Sequence, residues 1–205
     1  MAKDEKTKSR EVRHQKHGGQ CKRSGNVSHV QQYFDFDSEC KLPPVSTLDV
    51  CKSPCCEFAV RFAALLFYDP DCTFNNNAVS NLARDYFGKA AGHARDGYDA
   101  AEAGFNLYLK ERGLNFNDVP KTLTMLLEEQ SRLPRQNKRD HEQIELQQFS
   151  TPPALALLLT SVAAVKNGMA VLEPSAGTGN IAVIARLAGA KVDTNEIDAR
   201  RQDLL

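Results

Sequence analysis

One stretch constrains this chain more than any other. Met169-Ala-Val-Leu is a short apolar run, Ser175 to Gly179 is a glycine turn, Asn180 to about Leu187 reads as a helix, and Lys191 to Thr194 reads as a second strand ending at the acid Glu196. Strand, turn, helix, strand, acid predicts a βαβ unit, whose first strand is expected to be buried. The turn itself is Glu173-Pro-Ser-Ala-Gly-Thr-Gly. Gly177 and Gly179 let the backbone turn sharply and approach a ligand with no Cβ in the way. The helix that follows presents free N–H groups at its N-terminus. Glu196 comes 17 residues after Gly179. A carboxylate at that place can accept hydrogen bonds from both hydroxyls of a ribose.

Three ligand classes use such a shape. A phosphate-binding P-loop needs a lysine after the last glycine, and Asn180 stands there instead, which disfavours ATP hydrolysis. Gly177-Thr-Gly-Asn-Ile-Ala fits the GxGxxA form of a dinucleotide site, but a lone match of that kind is weak. Glu173 decides between them. A carboxylate opening the turn repels a pyrophosphate and suits a cationic ligand, such as the ammonium and sulfonium of S-adenosylmethionine.

These motifs resemble those of the class I S-adenosylmethionine-dependent methyltransferases, in the variant found in DNA adenine amino-methyltransferases. Leu172-Glu-Pro-Ser-Ala-Gly-Thr-Gly-Asn looks like their first motif. Gln148-Phe-Ser-Thr-Pro-Pro, 24 residues before Leu172, resembles the motif that precedes it, an aromatic followed by Thr-Pro. Asn195-Glu-Ile-Asp resembles the second motif. The resemblance covers residues 147–205. The stretch Asp96-Gly-Tyr-Asp-Ala-Ala-Glu-Ala-Gly-Phe-Asn-Leu-Tyr-Leu, followed by this start, is similar more loosely to the N-terminal part of strawberry-notch-type methylase/helicase proteins of phages and plasmids.

The resemblance implies S-adenosyl-L-methionine as cofactor and DNA as partner. It implies that Thr151 and Pro152 touch the methionine end, with Phe149 as the aromatic beside them. It implies that Glu173, Pro174 and the turn Ser175, Ala176, Gly177, Thr178, Gly179 hold the amino-acid moiety. Glu196 would bind the ribose and Ile197 would pack on the adenine. Read without the resemblance, Thr151-Pro152 is an ordinary helix start, Glu173 a solvated strand-end acid, and Glu196 a charge favoured by a helix N-terminus.

The family's catalytic motif, Asn/Asp-Pro-Pro-aromatic, accepts hydrogen bonds from the target amine and stacks on a flipped base. It does not occur here. Leu42-Pro-Pro-Val lacks the amide and the ring, and Ser53-Pro-Cys-Cys lacks the aromatic. No catalytic residue is therefore assigned. The fold class expected is α/β, the truncated start of a Rossmann-like methyltransferase sheet, preceded by a small helical unit and a disordered basic N-terminus. The chain alone is expected not to methylate DNA, and its sheet to be completed by a further part or a second chain. The alternative is a non-catalytic nucleic-acid-binding or regulatory module.

Upstream, residues 1–54 read as a basic, irregular or disordered region. Met1 to about Gln31 holds eight Lys/Arg against three acids and almost no apolar residues, so it cannot bury enough surface to offset its chain entropy. Over the whole chain 26 basic residues balance 26 acidic ones, which excludes a uniformly basic nucleic-acid binder. One short strand is expected around Gln32–Phe36.

Residues 55–133 read as a helical unit. Phe58, Phe62, Leu65 and Leu66 form one apolar stripe on a helix from about Cys56 to Phe67. A second helix, capped by Asn77, carries Val79, Leu82, Ala83, Tyr86 and Phe87 inward to about Ala90. A third runs from an Asp96 cap to Arg112, with Ala100, Ala103, Leu107 and Tyr108 inward and Gly113 ending it. A fourth starts at Asp118 with Pro120 and carries Leu123, Leu126 and Leu127 inward. Residues 134–146 are polar and read as a linker, and 147–205 as the partial methyltransferase domain. There Pro152-Pro153 opens a helix to about Lys166.

All six cysteines lie in the first 72 residues. His14, His17 and Cys21 stand close together, but no clean CxxC pair occurs, so reduced thiols are expected and no metal ligand is assigned. The N-terminus has no apolar stretch of a signal peptide and the chain no membrane-length apolar run, so a cytoplasmic setting is the default expectation.

Overall fold

The computed structural model describes residues 53–87, 94–135, 144–145 and 148–205. The basic N-terminal region, the strand around Gln32–Phe36, most of the linker and the side chain of Tyr86 lie outside the described residues. What is described is mixed helix and strand and mostly helical, with a two-stranded parallel sheet. In chain order the elements are α1 (Pro54–Tyr68), α2 (Asn76–Phe87), α3 (Ala94–Arg112), α4 (Val119–Ser131), α5 (Pro153–Val162), β1 (Ala170–Glu173), α6 (Asn180–Leu187), β2 (Lys191–Thr194) and the single turn α7 (Ala199–Gln202).

Helix α1 starts where Ser53 Oγ accepts from the Cys56 N–H and Pro54 takes the first helical position, which needs no donor. Its expected stripe is buried: Phe58, Phe62 and Leu65 are fully enclosed and Leu66 nearly so. It packs along α3. Gly104 permits the close approach, since a Cβ there would stand 2.6 Å from the Ala59 carbonyl oxygen. The end of α1 is tied down by Arg132, whose buried guanidinium donates to the carbonyls of Leu66, Asp69 and Cys72.

The core is continuous. Phe58, Phe62, Phe74, Phe105 and Leu126 from the helical part belong to the same buried cluster as Ala154 and Leu157 of α5 and Ile184 of α6. The helical unit and the βαβ unit are thus packed against each other.

Strands β1 and β2 pair in parallel, Ala170 with Lys191 through Glu173 with Thr194, as the βαβ pattern predicts. The first strand, however, is not buried. Ala170 and Leu172 face outward, Leu172 being 69% exposed, while Val171 and Glu173 are half-covered. Strand β2 repeats the alternation. Helix α6 lies against both strands. A sheet with one covered face reads in period two, whereas the apolar run Met169–Leu172 suggested cover on both.

Four further expectations are corrected. Leu127 is exposed, because α4 is gripped by its neighbours only along the Thr122–Leu126 side. Asn75, not Asn77, caps α2, its Oδ1 accepting from the Ala78 N–H at 2.9 Å. Helix α3 begins at Ala94, which leaves Asp96 inside its first turn. Helix α5 stops at Val162 rather than near Lys166. Ala164 adopts φ +50°, and the N–H groups of Ala164 and Val165 close back on Ser161 and Thr160, so the carbonyls of the last turn are satisfied there.

Among the described residues no helix is long and apolar enough to cross a membrane. Cys55, Cys56 and Cys72 form no disulfide with one another, and no cluster of metal-ligating side chains occurs among the described residues.

Candidate functional site

The glycine turn lies at the C-terminal ends of both strands, and its geometry follows from its residues. Gly177 has φ +58° and Gly179 φ +92°, values that L side chains rarely adopt. The Gly179 N–H donates back to the Ala176 carbonyl at 2.8 Å, which closes the turn, and α6 begins at Asn180.

The turn is stitched to the end of β2. The Asn195 N–H donates to the Glu173 carbonyl, the Ala176 N–H donates to the Asn195 carbonyl, and Asn195 Nδ2 donates to the Pro174 carbonyl at 3.0 Å. The Gly177 N–H donates to Glu196 Oε2 at 2.6 Å, and the Asp198 N–H to Glu196 Oε1 at 2.9 Å. Glu196 is buried under this arrangement, so both of its oxygens already hold backbone donors. Ribose hydroxyls reaching this carboxylate would exchange with those donors or share the oxygens' remaining lone pairs.

Glu173, at the end of β1, is half-buried. Burial pushes its carboxyl above the ordinary range, and the Ser175 backbone N–H works against that rise. Pro174 and Ser175 are exposed. Ile197 is 78% exposed and Phe149 is 62% exposed, so two apolar side chains stand in solvent within the segments that carry the motifs. Thr151 is half-buried and anchors the turn through its carbonyl, which accepts from Asn180 Nδ2 at 2.8 Å, and Pro152 is exposed beside it.

Thr178 points elsewhere. It is 3% exposed; its hydroxyl donates to Glu102 Oε2 at 2.9 Å and its carbonyl accepts from Asn106 Nδ2 at 2.8 Å. Its side chain belongs to the seam with the helical unit. Gly179 is buried too, and a Cβ there would meet Leu205 at 3.0 Å.

That seam is the part sequence reasoning missed. Asp99 and Arg201 form a buried bidentate ion pair, with distances of 3.1 and 2.9 Å. Burial works against the charge on Arg201, but the hydrogen bonds and charge of Asp99 outweigh it, so the guanidinium is held more firmly protonated than usual. Gln148 Nε2 donates to Asp198 Oδ2 at 3.0 Å. Glu102 receives Ser150 Oγ as well as Thr178 Oγ1. The signal existed: Asp99, Glu102 and Asn106 fall at i, i+3 and i+7, a polar row on one face of α3.

Two cavities lie near the turn, the first lined in part by Thr178 and Gly179 and the second reaching only Asn180 at the start of α6. One, of about 480 Å3, lies between α1, α3 and α6 and is lined by Cys56, Ala59, Asn106, Val183, Thr194 and Leu205 among others. The second, of about 400 Å3, lies between α3, α4 and α5. Neither is lined by Glu173, Glu196 or Ile197. Of the residues assigned to a cofactor, Thr178 and Gly179 line the first cavity and Pro152 the second, Glu196 is buried beneath the turn, and Pro174, Ser175, Phe149 and Ile197 are exposed.

Comparison with family models, with curated proteins and with solved structures finds no match.

Proposed function

We propose that the βαβ unit binds S-adenosyl-L-methionine and serves as the cofactor-binding part of a DNA amino-methyltransferase of the adenine-N6 type. The observation that carries this reading is the hydrogen bond from the Gly177 N–H to Glu196. It sets the glycine turn at the end of β1 beside the acid at the end of β2, the two elements that such a cofactor would span.

The donor set fits the cofactor's chemistry. Glu173 offers a carboxylate to an ammonium or sulfonium, Glu196 offers one to the ribose, and the exposed side chains of Ile197 and Phe149 offer apolar surface to the adenine and the methionine end. When bound, the cofactor would supply the methyl group. The target amine would need the Asn/Asp-Pro-Pro-aromatic motif, which these 205 residues do not contain. DNA as the partner rests on the resemblance of the motifs, with the basic residues before Gln31 as support.

Titration calorimetry of the full chain with S-adenosylmethionine tests the reading. Saturable binding that disappears in Glu196→Ala and in Gly177→Val supports it. A folded chain that takes up no heat contradicts it.

A further inference from the structure

The cavity between α3, α4 and α5 has a chemistry of its own. Tyr98, Phe105, Leu127 and Pro153 give it apolar walls, and Glu102 stands in its lining. Ser150 and Thr178 both donate to the same oxygen of that carboxylate, Oε2, at 2.6 and 2.9 Å. Oε1 accepts no hydrogen bond among the described residues. The basic group nearest in effect, Arg201, is already bound to Asp99, and Asp99 itself adds a like charge; burial pushes the Glu102 carboxyl up.

Asn180 lines the same cavity and is only 5% exposed. Its Nδ2 is committed to the Thr151 carbonyl, and its Oδ1 has no partner among the described residues. The lining thus contains two acceptors with spare capacity, one of them on a carboxylate that forms no ion pair among the described residues. Unpaired acceptors and charges in such surroundings are costly, and a donor that enters removes the cost.

We propose that this cavity is a binding site for a small organic cation, an amidinium, guanidinium or primary ammonium on an apolar body, with Glu102 as its counter-ion. The volume of about 400 Å3 is within the range of small-molecule sites. A planar cation with several N–H groups can serve both Glu102 Oε1 and Asn180 Oδ1, while the body lies against Tyr98, Phe105 and Pro153. Arg135 also reaches the lining, but it is exposed and screened by water, whereas Glu102 is held among the walls. The site is distinct from the proposed cofactor site, since Pro152 is the one residue assigned to the cofactor that lines it.

Calorimetry of the full chain at pH 8 with benzamidine and with agmatine tests the proposal. The expected result is saturable one-to-one binding of at least one probe, weakened at least tenfold in Glu102→Gln and unchanged in Val162→Ala, an exposed site outside the lining. Leu127→Lys gives a second reading: the side chain is 54% exposed, so the fold tolerates the change, while the new ammonium at the lining repels the cation. It too should weaken binding severalfold. Absence of binding by a chain whose circular dichroism shows its helices overturns the proposal. So does parent-like affinity in both Glu102→Gln and Leu127→Lys, or equally tight binding of neutral benzamide.

Discussion

The helical unit and the βαβ unit solve the same burial problem to different degrees. In the helical unit Phe58, Phe62, Leu65 and Leu109 are wholly enclosed, and even a glycine, Gly104, is pressed against a neighbouring carbonyl. In the βαβ unit one sheet face is bare. Leu172 is 69% exposed, Ile197 78%, and Val162 at the end of α5 86%. The βαβ unit keeps its place through its underside: α5 and α6 join the common core, and polar bonds from α3 hold the turn. The difference teaches that the same residue type carries stability on one side of the molecule and surface on the other, so substitutions in the two regions should separate cleanly.

The largest separation is expected between Phe62→Ala and Leu172→Ala. Removing a fully buried phenylalanine should cost about 4 kcal/mol, and truncating the exposed leucine less than about 0.5 kcal/mol, in denaturant unfolding of the two variants. Comparable losses would erase the contrast.

Next comes the seam that joins the regions. Arg201→Met leaves Asp99 buried without its partner and should cost about 3 kcal/mol. The double variant Asp99→Leu with Arg201→Met should recover most of that. If the single change is harmless, the ion pair does not hold the regions together.

Glu102→Gln acts in the opposite direction and by less, raising stability at pH 8, since a half-buried carboxylate held by two hydroxyls and no basic side chain is replaced by a neutral isostere. The sign depends on pH. The folded carboxyl titrates above its ordinary value near 4.5, so its protonated form contributes stability that is fully present below that pH and lost as pH rises through the folded value. The variant's advantage should therefore be greatest in alkali and vanish below about pH 4.5. Unfolding curves across that window would show an advantage that stays constant if the carboxyl is not what matters.

The smallest effect is at the end of α5. Ala164 sits at φ +50° where glycine is favoured, and Ala164→Gly should raise stability by about 1 kcal/mol, read as a higher unfolding midpoint.

Periodicity revealed most of the helices. The α1 stripe of Phe58, Phe62, Leu65 and Leu66 is buried as expected, and α6 and β2 begin and end where the sequence places them. Gly113 and Gly189 mark helix ends because they alone adopt the left-handed turn cheaply, while Ala164 does the same work with no such mark. Caps were harder to read in Asn75-Asn-Asn, where three equivalent side chains compete for one role. The apolar run Met169–Leu172 misled about burial, since what covers a strand is tertiary.

At the candidate site the turn and the acid were legible as motif residues, and the structure does bring Gly177 and Glu196 into contact. The burial of Thr178 and the roles of Asp99, Glu102, Asn106 and Arg201 were not. The polar row Asp99, Glu102 and Asn106 marks one face of α3, but which distant groups meet it, as Arg201 meets Asp99, no local pattern encodes.

The cofactor reading makes one demand that structural stability cannot mimic. Ile197 and Val162 are both highly exposed apolar side chains, but only Ile197 belongs to the motif assigned to the adenine. In calorimetric titrations with S-adenosylmethionine, Ile197→Ala should weaken binding at least tenfold, about 1.4 kcal/mol, while Val162→Ala leaves it unchanged. Failure of the folded parent chain to bind, or equal affinities in the two variants, would contradict the account.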